Sequence, residues 1–292
     1  MSAADKTGRP LQPSKWRETV GLIVGLVVVL GAFWLVDANW EKLGELPGAI
    51  PKYGRLMGQG LVESPFEQPW WGYWTIALDR MFESLQMAWV GTLIGAILSV
   101  PAGFLAARNV SPAPVVFVTR QVLNAIRAIP ELIFAIVIMM PIFGLGALAG
   151  TLALGVGAVG TLGKLTAEAI EGIDKGPVEA ARSAGAPYAA ILRWSVLPQV
   201  LPEMVAFWLY RFEINIRASA VLGVIGAGGI GSLLSQLFNR RDWEWIGITL
   251  VVIIVVTVIV DAISGAVRAR IISGGKASKK RDALPEEALL PV

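Results

Sequence analysis

Neither cysteine nor histidine occurs in the 292 residues. The first absence excludes disulfides and thiolate metal sites. The second removes the commonest general base and the commonest metal ligand. Charge is scarce as well: Asp, Glu, Lys and Arg make up 16% of the chain, against about 25% in an ordinary soluble domain. The net charge of +3 is spread as punctuation between apolar segments and forms no single basic face, which argues against nucleic-acid binding. What is abundant is apolar surface, with 55% hydrophobic residues and a mean hydropathy of +0.63. Eleven tryptophans stand against four tyrosines, and tryptophan favours membrane–water interfaces. Such a chain needs lipid around it.

A spanning helix takes about 20 apolar residues. The first candidate, residues 19–36, contains no charge. A cleaved signal peptide competes with this reading. The run is longer than a typical signal core and no small-x-small site follows, so a retained helix is expected. Residues 38–80 are mixed in charge and rich in proline and glycine, ending in Trp70, Trp71 and Trp74; they read as a periplasmic segment with an interfacial aromatic belt. A second span is expected over 85–107, where Pro101 is tolerable among neighbouring helices. Residues 108–127 hold Arg108, Arg120 and Arg127 and no acid, which suits the cytoplasmic side. Further spans are expected over 129–145, 147–170, 203–222 and 246–267, with a polar stretch at 171–199.

Lysine and arginine in short loops set orientation. The N-terminal tail (residues 1–18) carries Lys6, Arg9, Lys15 and Arg17. The C-terminal tail (residues 268–292) carries Arg268, Arg270, Lys276, Lys279, Lys280 and Arg281. Six spans put both tails on one side, the cytoplasm, together with residues 171–199. Residues 223–245 then lie outside, and Arg240 and Arg241 there run against the rule.

Gly226, Gly228, Gly229 and Gly231 include the pattern G-x-G-x-x-G of dinucleotide-binding folds. That mechanism needs a strand–helix–strand unit with an acid about 20 residues on. Here a tryptophan-rich turn and an uncharged span follow, and Gly155, Gly157 and Gly160 match the same pattern inside another span. The glycines are better read as a gate-like re-entrant turn or a close approach of packed helices.

The strongest signal lies between the fourth and fifth spans. Pro177 suits the first turn of a helix, Glu179 meets the positive end of its dipole, and Gly185 is a natural left-handed stop. A second short helix is expected from Pro187 to Pro198. Glu179-Ala180-Ala181, three residues, Gly185 and then Leu197-Pro198 resemble the EAA loop of ABC-importer permeases. Ser195 stands where that family usually has an apolar residue. The resemblance extends over roughly residues 80–270: Arg127 to Glu131, Gly163 to Glu171, Leu209 to Arg217 and Gly226 to Gly231 look like the phosphonate importer permeases. The methionine-type permeases share the loop and the glycine turn.

The resemblance implies an all-α fold of six transmembrane helices, with a permease core at 81–267 and a coupling loop at 171–199 that docks on a cytoplasmic ATPase. It implies a homodimer, two ABC ATPase subunits and a substrate-binding protein. The chain itself would be no enzyme, with no cofactor or metal of its own; ATP and Mg belong to the partner. Phosphate or amino-acid import and a gradient-driven secondary transporter are the alternatives. The last would call for an inverted repeat, and none is visible.

Arg211, Glu213, Asn215 and Arg217 fall inside the fifth span. Charges there cost about 2.5–3.5 kcal/mol each on insertion scales and mark bundle interiors or aqueous paths. Two readings stay open: Glu213 neutralises Arg217 within the helix, or an arginine meets a phosphonate or phosphite oxyanion with its planar fork. Lys164 with Glu168 and Arg127 with Glu131 have the spacing of structural i, i+4 pairs, and Pro130 is placed to bend the chain.

Overall fold

The computed structural model describes residues 15–36, 38–62 and 66–281, and these are helical almost throughout, with no strand among them. The charges expected at Lys6 and Arg9 and the segment 282–292 lie outside the described residues. The chain divides into two compact units, up to residue 52 and from residue 53 onward.

The first unit contains α1 (Trp16–Leu35), a 3-10 helix (Trp40–Glu45) and the start of α2 (Leu46–Val62). The apolar run of α1 buries none of its residues. A helix without a polar stripe that finds no protein to cover it suits lipid. Phe33 stacks on Trp40 with ring centroids 3.9 Å apart. The described part of residues 38–80 is largely helical, through the 3-10 helix, α2 and the helix that begins at Trp70. Pro47 sits in the first turn of α2, where a missing N–H needs no partner. Gly60 further along lets Trp70 and Ile248 approach: a Cβ there would lie 3.0 Å from the Trp70 ring.

The second unit continues with α3 (Trp70–Ala106), α4 (Ala113–Ala128), α5 (Glu131–Phe143) and α6 (Ala147–Glu171). After them come α7 (Gly176–Ser183), α8 (Tyr188–Ala227), α9 (Gly229–Arg240) and α10 (Trp243–Arg281). Among the described residues four helices are long and apolar enough to span alone: α1, α3, α6 and α10. Two bent pairs, α4 with α5 at 84° and α8 with α9 at 57°, raise the number to six.

The α3–α6 contact is the spine of the fold. Gly91 and Gly95 present a small-residue face on α3, and a Cβ on Gly95 would fall 2.4 Å from the Cβ of Ala158. Lipid supplies no hydrophobic drive between helices, so close backbone approach and dispersion carry the association. The most apolar stretch of α6 is 67% buried against 28% for α10, so α6 is the interior helix and α10 a peripheral one.

Several expected boundaries move, each for a packing reason. α3 begins at Trp70, not 85, because Ala77 and Met81 join Ile216, Ile230 and Ile246 in one apolar cluster, with Trp74 packed against it. Residues 108–127 are largely the helix α4, in which Val116 and Leu123 are buried and Leu123 fills the space beside Gly163. The chain breaks at Ile129 and Pro130, as the proline suggested. The helix from Tyr188 does not end at Pro198. A π-helical turn over Leu192–Val196 precedes it, which leaves Pro198 in the first turn of a new α register where its absent N–H costs nothing. Residues 223–245 are largely helical, and α9 buries Ile230, Leu233 and Leu237.

Candidate coupling surface and intramembrane polar row

The segment between α6 and α8 presents an exposed helix on a tied base. α7 contains no buried residue and has Glu179 in its first turn. Ala180 and Ala181 follow, and their carbonyls accept from the N–H groups of Ala184 and Ala186. Gly185 turns the chain with φ +75° and nothing near its Cα, a conformation that costs glycine little. Leu197 and Pro198 lie on α8, half-buried and exposed respectively. The base is held by Gln199. Its Oε1 accepts from the N–H of Asp174 at 3.0 Å and its Nε2 donates to the carbonyl of Ser195 at 2.6 Å. Asp174 in turn accepts from the N–H of Gly176 at 2.9 Å. Ser195 itself is buried, so its departure from an apolar side chain faces the protein and not the exposed surface.

Inside the fifth span the four polar side chains point to three different helices. Arg211 donates to Glu131 of α5 and Glu213 accepts from Arg268 of α10. Asn215 donates to the hydroxyl of Thr92 on α3 at 2.9 Å. Arg217 pairs with Asp261 of α10 at 3.2 Å. The expected Glu213–Arg217 pair within the helix does not form, because each residue has a closer oppositely charged partner on α10. Likewise Arg127 does not pair with Glu131: the 84° bend between them turns Glu131 towards Arg211. Lys164 and Glu168 form no ion pair with each other; they line a small cavity with Arg120 and Asn124. Glu171 instead binds Arg120 at 2.6 Å and the N–H of Arg108 at 2.7 Å.

Burial separates these groups. Arg211, Glu213 and Asn215 are buried, whereas the side chains of Arg217 and Asp261 are 56% and 40% exposed. Three of the four polar links therefore act as internal struts, and one is open to its surroundings. Asp261 is the only charge within residues 246–267. A lone acid in an apolar span is itself a signal, and with Arg268 and Glu131 it was readable in the sequence as a partner for α8. Gln199 and Asp174 carried no such signal.

The glycine turn closes α8 onto α9. Gly226, Gly228 and Gly229 have φ of +106°, +88° and +66°. Gly231 lies so near α8 that a Cβ would meet the Ala220 carbonyl oxygen at 1.8 Å. The first turn of α9 is capped from α3, where Ser84 Oγ accepts from the N–H of Ile230 at 2.9 Å. No cluster of acids capable of holding a metal occurs among the described residues.

Comparison with known proteins places this arrangement. A family model described as a binding-protein-dependent transport system inner membrane component matches residues 99–273. The chain is 40% identical over 257 residues to a phosphite transport system permease protein of Stutzerimonas stutzeri, covering 87% of this chain and 89% of that one. It is 45% identical over 184 residues to a phosphate-import permease protein of Mycolicibacterium smegmatis, covering 63% of this chain and 34% of that one. A chain from inward-facing structures of a methionine ABC transporter superposes with a TM-score of 0.61 at 22% identity, covering 70% of this chain and 99% of that one; it shares the fold.

Proposed function

Because this chain belongs to the family of binding-protein-dependent transport system inner membrane components, we propose that it is the permease subunit of an ATP-driven importer for phosphonate or a related phosphorus oxyanion such as phosphite. Its all-α fold is that of the type I ABC importer permeases. The observation that carries the coupling part of the reading is α7: an exposed helix bearing Glu179, Ala180 and Ala181 and closed by Gly185, with its base tied to α8 through Asp174 and Gln199. A helix with an exposed outer face, seated on the body through Val178 and fixed at its root to a span, can pass a push from a cytoplasmic ATPase into the membrane. The names of the relatives at 40–45% identity support the substrate class.

In this reading two copies of the chain face each other, two ATPase subunits bind ATP and Mg below, and a substrate-binding protein delivers from outside. Both termini lie in the cytoplasm. ATP binding shifts the permease between inward- and outward-facing populations through its differential affinity for the two. The open pair Arg217–Asp261 faces the aqueous path, since two exposed charges facing lipid would cost about 2.5–3.5 kcal/mol each. The arginine fork is available there to an oxyanion, and Asp261 holds it in place between passages.

Gentle purification of the tagged chain from its native membranes tests the assembly. An ATPase and a phosphonate-type binding protein are expected in the eluate. A preparation lacking any ATPase, from membranes that contain one, would overturn the coupling role of α7 and favour a gradient-driven transporter. The path residue is tested separately. Arg217→Ala is expected to lower oxyanion uptake roughly 10–100-fold, the worth of one or two charge-assisted hydrogen bonds, while the assembly with its ATPase persists. Loss of assembly in that variant would instead make the pair structural.

A further inference from the structure

Outside the coupling surface and the polar row, one cavity is built for an anion and sits beside an apolar surface. It has a volume of about 460 Å³ and lies where α3 ends and α4 begins. Arg108, Ser111, Arg120, Gln121 and Asn124 line it, and no acidic residue is among the lining groups. Arg120 is tied back through Nε to the Ala106 carbonyl at 2.9 Å and through one Nη to Glu171 at 2.6 Å. That fixes its guanidinium and leaves the other Nη free. Arg108 uses its backbone N–H, also towards Glu171; its guanidinium has no partner among the described residues.

Glu171 thus neutralises part of the charge from behind, and a guanidinium, an amide on Gln121 and an amide on Asn124 remain unpaired donors. Phe117, which also lines the cavity, is 65% exposed. A cavity of donors opening beside an exposed aromatic ring, two residues beyond the end of a membrane-length helix, matches an amphiphile with an anionic head. Arginines at such a depth reach the headgroup layer while their stems stay in apolar surroundings.

We propose that this cavity binds the phosphodiester of an anionic phospholipid, with Arg108 and Arg120 on the phosphate oxygens and an acyl chain along Phe117. A soluble phosphorus oxyanion would find the same donors but would have no use for the apolar side. An acidic side chain of a partner protein would leave the exposed Phe117 ring at the cavity unexplained. The inference rests on the membrane setting of α4 and not on which substrate the permease carries.

The test is lipid retention by the full chain, purified with whatever assembles on it and exchanged into mixed vesicles of phosphatidylglycerol and phosphatidylcholine. Native mass spectrometry then counts phospholipid bound per chain. The wild type is expected to retain phosphatidylglycerol in preference to phosphatidylcholine. Arg108→Ala, which removes no internal contact, is expected to weaken retention about tenfold, and Arg108→Lys to restore part of it. Gln121→Glu, at an exposed position with no bonded partner, places a repelling carboxylate in the cavity and should lower retention independently. Equal retention by wild type, Arg108→Ala and Gln121→Glu would overturn the proposal, as would equal retention of the two lipids. Inorganic phosphate binding to the delipidated chain, lost in Arg108→Ala without any phosphatidylglycerol preference, would assign the cavity to a soluble anion. Loss of a protein partner in Arg108→Ala with lipid unchanged would assign it to that partner.

Discussion

Arg211→Ala is expected to destabilise the folded permease by about 1–3 kcal/mol, because it strands the partly buried Glu131 without the charge it faces. Arg211 is buried and its pair with Glu131 joins α8 to the bent helix α5. The loss is read as a lower midpoint in thermal or denaturant unfolding of the purified protein. A double variant, Arg211→Met with Glu131→Gln, should recover most of that stability, since removing both charges leaves no orphan. Uptake then separates two roles for Arg211. If the double variant also recovers transport, the pair is a strut. If it is stable but inactive, Arg211 touches the substrate and the path runs on the α5 side of α8. Wild-type stability in the single variant would mean that the ion pair does not hold the helices together.

Gly231→Ala should be at least as severe. A methyl group there would sit 1.8 Å from the Ala220 carbonyl oxygen and 2.9 Å from the Cα of Gly223. Backbone atoms on both sides cannot yield as a flexible side chain would. The turn must open, and α9 must leave its cap at Ser84. Overpacking of this kind usually costs 1–3 kcal/mol. Here the added atom meets backbone and not side chain, so more than about 3 kcal/mol is expected, with uptake lost. Gly25→Ala in α1, where a Cβ would meet nothing within 4 Å, is the matched control and should leave both stability and uptake unchanged. Equal behaviour of the two variants would show that the α8–α9 approach is not needed for folding or for transport.

The polar row explains why α8 tolerates so much charge. The polar side chains between them reach three neighbouring helices, which fix α8 in rotation: α3 through Thr92, α5 through Glu131 and α10 through Asp261 and Arg268. A piston motion of α8 driven from α7 would carry the open Arg217–Asp261 pair with it. The root of α7 at Gln199 lies on α8 itself.

Composition and periodicity by themselves determined that this is a helical membrane chain, because an apolar excess of this size has no other cover. The span at residues 19–36 and that at 147–170 emerged with nearly the bounds the structure has, since each is a clean apolar run between polar flanks. The exposed helix and glycine turn at 176–185 were legible for a local reason: Pro177, Glu179 and Gly185 act within one or two turns of themselves. Only the tertiary structure decided the rest. Where α3 begins depends on Trp74, Ala77 and Met81 finding partners on α8, α9 and α10, and no local signal distinguishes that from an interfacial loop. Whether Pro198 stops a helix depends on a π turn upstream that widens the backbone to admit it. The ion pairs were misassigned because spacing along one helix predicts i, i+4 neighbours, while Glu213 and Arg217 both find stronger partners across a helix interface. In a membrane core charges pair with whatever opposite charge the fold brings nearest, and that proximity is a property of packing rather than of sequence order.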